Sequence, residues 1–307
     1  MSFLEQLLSM NMVLATLRMA IPLTLGSIGG VLCERSGIVN LGIEGMMLAG
    51  SFAGAVGAYY SQSALVGVLT AILVGGLVGL LHAVLCIHFH TKQSVSGVGI
   101  NILVSGLTIV LCRAIFDSDG MSAQVSQVPN VTVPGLSAIP VVGEIFSNQS
   151  PYLFAMLIVT AATWWFMYRT TPGLRLRVIG DNPQAAETAG INVTKYRYIA
   201  VIACGMLCGL AGSYLSISQG NVFVKDMVAG RGFMALAAMI FGGWNPLGSM
   251  LASLLFAFAQ AIRISMQVDV PDQLLQMLPY AITLLALMFV GRKIRGPQAS
   301  GDIPEEA

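Results

Sequence analysis

The chain has 307 residues, 56% hydrophobic and only 9% charged, with a formal net charge of +1. Soluble domains carry about 25% charged residues, so a water-soluble globular enzyme is excluded, and the near-neutral balance supplies no basic field for nucleic acid. A mean hydropathy of +0.80, with repeated apolar runs of helix-spanning length, marks an integral membrane protein.

The N-terminal stretch MSFLEQLLSMNMVLATLRMA lacks a basic n-region and a small-residue cleavage site. It reads as the approach to a retained first span rather than as a cleaved signal peptide. In chain order, apolar segments are predicted over 13–33, 43–60, 64–87, 96–115, 151–168, 199–219, 230–247, 248–267 and 274–291. The run 230–267 divides in two at Gly242-Gly-Trp-Asn-Pro-Leu-Gly248, a turn signal of paired glycines and Asn-Pro. The expected fold is an all-α, polytopic transmembrane bundle of about eight to ten such segments, some broken or re-entrant, with a short one expected near the N-terminus. Residues 1–295 are expected to form one transmembrane domain. The Pro-containing segment 116–150 is an outer lid or docking loop, and the polar tail 296–307 is a disordered cytoplasmic end. No second, soluble domain is expected.

Basic residues set the orientation. If 169–198 is cytoplasmic, that side holds Arg35, Lys92, Arg169, Arg175, Arg177, Lys195, Arg197, Arg292, Lys293 and Arg295, against Lys225 and Arg231 in the opposite loops. This bias puts the C-terminus inside. Cys33, Cys86, Cys112, Cys204 and Cys208 all lie in apolar runs without metal-type pairing, and read as reduced packing residues. His82, His88 and His90 read as interfacial, and no metal site is expected. The pairs Gly26/Gly30, Gly50/Gly54, Gly75/Gly79 and Gly205/Gly209 allow close helix approach, either inside one subunit or at a dimer seam.

Polar groups at membrane depth normally face a bundle interior or a wet cavity. Asn101, Ser105, Thr108 and Cys112 share one helical face, and Gln260, Arg263 and Gln267 share another. For the first stripe, interhelical hydrogen bonding and a substrate pathway are both open readings. For Arg263 the alternative is snorkelling to the outer interface. Asn40 and Glu44 lie at the inner end of the second segment, where Glu44 can line the pathway or satisfy backbone groups at a helix start. Phe233 is a candidate flat surface for a base, beside Asn101, Ser105 and Thr108 as partners for hydroxyl groups.

The region 169–197 is a polar island that contains a short helix marked at both ends. Asn182 is a good N-cap, Pro183 suits the first turn, and Gly190 can take the left-handed conformation that closes a helix. A firmly capped helix on a basic loop is suited to a soluble partner. Ala185, Ala186 and Ala189 are small enough for close docking, so Ala186→Arg is expected to block it, while Arg175, Arg177 and Glu187 can set register by charge. No phosphate-binding loop occurs, since none of the four lysines follows a glycine, and no hydrolase triad is suggested. With Glu44 the single carboxylate near apolar depth, an ion-coupled carrier is poorly supplied. Energy is expected from a separate ATPase. The rival readings are an ATP-independent secondary transporter or channel, and a membrane scaffold.

Cys33-Glu-Arg-Ser-Gly-Ile-Val-Asn-Leu-Gly-Ile-Glu-Gly-Met-Met-Leu48 resembles the signature after the first helix of ABC importer permeases of the nucleoside and simple-sugar group. Gly180-Asp-Asn-Pro-Gln-Ala-Ala-Glu-Thr-Ala-Gly-Ile191 is similar to their coupling segment, and Ala237-Ala-Met-Ile-Phe-Gly-Gly-Trp-Asn-Pro-Leu-Gly248 to their late inner turn. The resemblance covers essentially the whole chain and extends to ribose and branched-chain amino acid permeases. It implies the smaller of two unlike permeases in a bacterial inner-membrane importer. The partners would be a second permease, an extracytoplasmic binding protein, and a cytoplasmic ATPase pair that carries ATP and Mg; this chain would hold no cofactor. It implies a coupling helix formed by Asn182, Pro183, Gln184, Ala185, Ala186, Glu187, Ala189 and Gly190, which moves as a rigid lever. The solute it implies is nucleoside-like, with a simple sugar, a riboflavin-like ligand or a branched-chain amino acid as alternatives.

Overall fold

The structure is a computed structural model and describes residues 10–132, 147–265 and 296–301. In chain order the helices are α1 (Met10–Glu34), α2 (Ile43–Ser61), α3 (Ala64–Ala83), α4 (Gln93–Phe116), α5 (Pro151–Arg169), α6 (Thr171–Asp181), α7 (Pro183–Thr188), α8 (Val193–Ser213), α9 (Arg231–Phe241) and α10 (Pro246–Ser265). Single π-helical turns, Val84–His88 and Tyr214–Gln219, extend α3 and α8. A 30 Å hydrocarbon layer needs about 20 helical residues. Five helices, α1, α3, α4, α5 and α8 with their π extensions, are long and apolar enough to cross a membrane.

The segment expected as a full pass over 230–247 is not one. Its helix, α9, has 11 residues, or about 16 Å at 1.5 Å per residue, roughly half a bilayer core. Asp226, Ala229 and Gly230 have positive φ values of 52°, 50° and 82°. Those conformations prevent α9 from extending back toward α8. A broken element therefore falls here, in addition to the re-entering run at 35–42 near the N-terminus.

Helices α1, α2 and α8 form the centre. α3 packs on α2 and α8, α4 on α2, and α5 and α10 on α1, while α9 wedges between α1, α10 and α2. Small residues make this closeness possible. A Cβ on Gly75 would collide with the Gly205 carbonyl oxygen, and one on Gly205 with that of Gly75. The glycine pairs of α3 and α8 therefore serve packing within the chain, where lipid offers no hydrophobic drive and van der Waals contact must suffice. Buried His82 joins elements in the same way, with ring nitrogens 2.9 Å from Ser96 Oγ and 3.2 Å from the Val39 carbonyl oxygen.

At one end, residues 117–132 lie against the chain that leaves α8. The Ser122 amide donates to the Phe223 carbonyl (3.0 Å), Val125 to Asn221 (2.9 Å) and Val128 to Ile217 (3.0 Å). Phe223 is buried edge-on against Phe52. The opposite, basic end gathers residues 35–42, α6, α7 and the turn at 242–245. Residues 296–301, expected as part of a disordered tail, instead form a turn packed on this end. The Ala299 amide donates to the Gly180 carbonyl (2.9 Å) and that of Gly301 to Gly37 (3.2 Å). The predicted run 274–291, Gln267, the middle of the 116–150 loop and the side chain of Arg263 lie outside the described residues.

Candidate functional site

A junction of α2, α4 and α9 inside the bundle

After Glu34 the chain turns at Gly37 (φ 89°) and runs back into the bundle before α2 begins. Asn101 pins this run. Its Nδ2 donates to the Leu41 carbonyl (2.9 Å), and its Oδ1 accepts from the Gly45 amide (2.7 Å). Asn101 stands eight residues into α4, about 12 Å along the helix. Asn40 holds the same turn, accepting from the Gly42 amide at 2.9 Å and donating toward the sulfurs of Met46 and Cys204. Glu44 lies in the first turn of α2 and Asn40 just before it, at the start of the second segment as expected, but residues 35–42 run back into the bundle before that helix begins.

Glu44 grips the start of α9. Its Oε1 accepts from the Gly230 amide (2.7 Å) and its Oε2 from the Gly232 amide (2.6 Å). The first amides of a helix have no intrahelical acceptor and carry the positive end of the macrodipole, so a carboxylate suits them. A side chain at Gly232 would overlap the Glu44 backbone. Glu44 thus satisfies a helix start, but that of a helix nearly 190 residues later. Beside it, the Ser105 hydroxyl donates to Asp226 Oδ1 (2.7 Å), and Phe233 is half exposed. Arg231 donates from Nη1 to the Met227 and Val228 carbonyls, while its Nε is buried with no hydrogen-bond partner.

Glu44, Asn101 and Ser105 therefore converge where α2, α4 and α9 come together, Asn40 holds the turn that leads into α2, and Phe233 follows Gly232 on α9. Thr108 does not join them; it is buried and donates to the Ser105 carbonyl of its own helix (3.0 Å). Gln260 lies on α10 and reaches the Met234 sulfur (2.9 Å). Asp226 and Arg231, which sequence reasoning left in a loop, belong to the junction; the re-entrant backbone that carries them has no periodic signature.

The basic end

Thr170 caps α6 by accepting from the Gly173 amide (3.2 Å), and Asn182 caps α7 by accepting from the Ala185 amide (2.9 Å). Gly190 takes φ 76°, and its amide donates to the Glu187 carbonyl (2.9 Å), closing α7. Ala186 is fully buried against Ile179 and Val193. It packs the loop onto itself and presents nothing outward, which corrects its assignment to a docking face. Gln184, Ala185, Glu187, Thr188 and Ala189 are exposed and Pro183 is half-buried.

Sequence reasoning missed the clasp beneath α6. The Trp244 indole Nε1 donates to Glu34 Oε2 (2.6 Å), and Arg35 Nε donates to the Trp244 carbonyl (3.1 Å). The Arg35 carbonyl lies tight against Gly180 of α6. Buried Arg197 donates to the Ser36 carbonyl (3.2 Å). Burial pushes the Arg35 pKa down, opposed by Tyr168 and Asp181; an arginine remains charged under such a shift. The signal that was available is the pair Glu34-Arg35 at the exact close of an apolar run.

Similarity to known proteins

Helices long and apolar enough to cross a membrane, packed around a polar junction, are those of a multi-pass membrane protein. The chain belongs to the family of branched-chain amino acid transport system / permease components, whose pattern matches residues 12–287. It is 39% identical to the guanosine ABC transporter permease NupQ of Bacillus subtilis, over 94% of each chain. It is 40% identical to the nucleoside ABC transporter permease NupC of Lactococcus lactis, over 91% of this chain and 92% of that one. In each of those bacteria a second nucleoside or guanosine ABC transporter permease is also similar to it, at 24% and 22% identity. Among solved structures, an inward-facing metal-chelate type ABC transporter shares the fold, with a TM-score of 0.50 at 15% identity over 91% of this chain and 85% of that one.

Proposed function

We propose that this chain is one of two unlike permease subunits of an ABC importer for nucleosides, with no ATPase site of its own. The single observation that carries the reading is the near-full-length identity of about 40% to nucleoside permeases. The geometry agrees with it. The reading is supported by the hydrogen-bonding groups of Glu44, Ser105 and Asp226 near the start of α9 and by the half-exposed Phe233 on its first turn, a set that suits a ligand with hydroxyls and a flat base. Half-helix termini that meet inside a membrane are a recurrent way to build a solute path.

In this reading the basic end is cytoplasmic, and an ATPase that binds ATP and Mg seats on the exposed face of α7, at Gln184, Ala185 and Glu187. An extracytoplasmic binding protein delivers the solute to the other end. The more distant second permease of each related bacterium supports a heterodimer.

The test is uptake of labelled guanosine, ribose and leucine by cells carrying the whole transporter, with and without a hydrolysis-dead ATPase. Nucleoside uptake that vanishes with the ATPase is expected. Accumulation that survives its loss would establish an ATP-independent carrier, and preference for ribose or leucine would move the substrate class.

A further inference from the structure

A cavity of about 720 Å³ opens between α5, α6 and α8 at the basic end, with Leu32 of α1 and residues 189–192, which follow α7, in its lining. Leu32 lies roughly 140° around α1 from the Gly26–Gly30 edge that packs on α9, at 100° per residue. The cavity is therefore turned away from the Glu44 junction. Phe166 of α5 and Ile199 and Ala203 of α8 make its trough apolar. Arg175, Lys195 and Tyr196 stand at its polar rim, and no acidic residue lines it. Arg175 is exposed and donates to the Tyr196 hydroxyl (3.4 Å); Lys195 is exposed at the start of α8. Neither cation meets a carboxylate among the described residues.

We propose that this groove is a binding site for an anionic phospholipid, with one acyl chain in the trough and the phosphate between Arg175 and Lys195. The ligand must be amphipathic, because an apolar trough and a cationic rim adjoin along one wall. Ile199 in its wall is exposed, as are Ile158 and Trp165 elsewhere on α5, so on this side of the bundle an acyl chain can fill the trough from the hydrocarbon without dehydration. A free phosphate would leave the trough empty. An ATPase seated on α7 would border the rim at Ala189 and Gly190 but would leave the apolar trough unfilled. Clustered basic side chains at a helix cleft, level with the headgroups, are a known basis for anionic lipid selection.

The intact transporter, delipidated in neutral detergent, is titrated with phosphatidylglycerol, phosphatidylcholine and inorganic phosphate, and retained lipid is read by native mass spectrometry. Phosphatidylglycerol is expected to bind roughly tenfold more tightly than phosphatidylcholine. Arg175→Gln with Lys195→Gln should erase that preference, Lys195→Arg should keep it, and Ala203→Trp should exclude both lipids. Brominated phosphatidylglycerol should also quench the tryptophan fluorescence of the unmodified protein more than brominated phosphatidylcholine, a readout that needs no variant to fold. Equal binding of the two lipids would overturn the site. So would a double variant that keeps the preference, or inorganic phosphate that competes as well as the lipid. Loss of ATPase association in the double variant, with lipid preference intact, would assign the rim to the ATPase instead.

Discussion

Glu44 holds two helices with one carboxylate. Its oxygens take the Gly230 and Gly232 amides, and no other acceptor for these two is seen among the described residues. Glu44→Ala leaves both donors unpaired in a partly buried site, at about 1–3 kcal/mol each. Thermal unfolding of the purified transporter should shift down accordingly, and uptake should fall. Glu44→Gln keeps one acceptor oxygen but replaces the other with a donor facing an amide, so it should fall between wild type and alanine in stability. Equal stability for all three would mean that the carboxylate does not hold α9. Gly232→Ala should resemble Glu44→Ala, because the added methyl meets the Glu44 backbone.

Helix α7 separates a packing face from a free face within one turn and a half. Ala186 is buried in its own loop and Ala185 is exposed. Ala185→Arg should leave the folded transporter intact while lowering ATP-dependent uptake and association with the ATPase. Ala186→Arg should instead lower the yield of folded protein, since a charged side chain cannot replace a methyl group against Ile179 and Val193. Co-purification and uptake measured together separate the two effects. Asn182→Ala should cost about 1 kcal/mol through loss of the cap, and Asn182→Gly only a few tenths. Limited proteolysis of the loop reads this difference.

Helix α9 links the two regions. Its first turn holds Glu44, and the turn after its last residue carries Trp244, which is bonded to Glu34 and Arg35 beneath α6. A helix of about 16 Å moves as a unit, so displacement of α6 and α7 has a direct mechanical route to the junction. Trp244→Phe removes one indole donor while keeping most of the ring. It should preserve assembly with the ATPase and lower uptake several-fold; unchanged transport would show that the clasp carries no motion.

Much of this molecule was legible in the residue order. Apolar run lengths located α1, α3, α4, α5 and α8 to within a few residues, except that α8 starts six earlier. The Asn182, Pro183 and Gly190 signals outlined α7, because caps and helix starts are local chemistry that a few adjacent residues decide. The half-length of α9, the depth of Glu44, the inward turn of Ala186 and the Glu34–Trp244 clasp were not legible. The depth of Glu44 and the clasp depend on groups 56 to 210 residues apart, the half-length of α9 on backbone that turns by positive φ, and the inward turn of Ala186 on Ile179 and Val193, seven residues away but on neighbouring helices whose relative placement no repeating pattern announces. Hydrophobicity is a property of neighbours along the chain and can be read there. Which carboxylate meets which unpaired amide is a property of neighbours in space, and it was decided when the bundle closed.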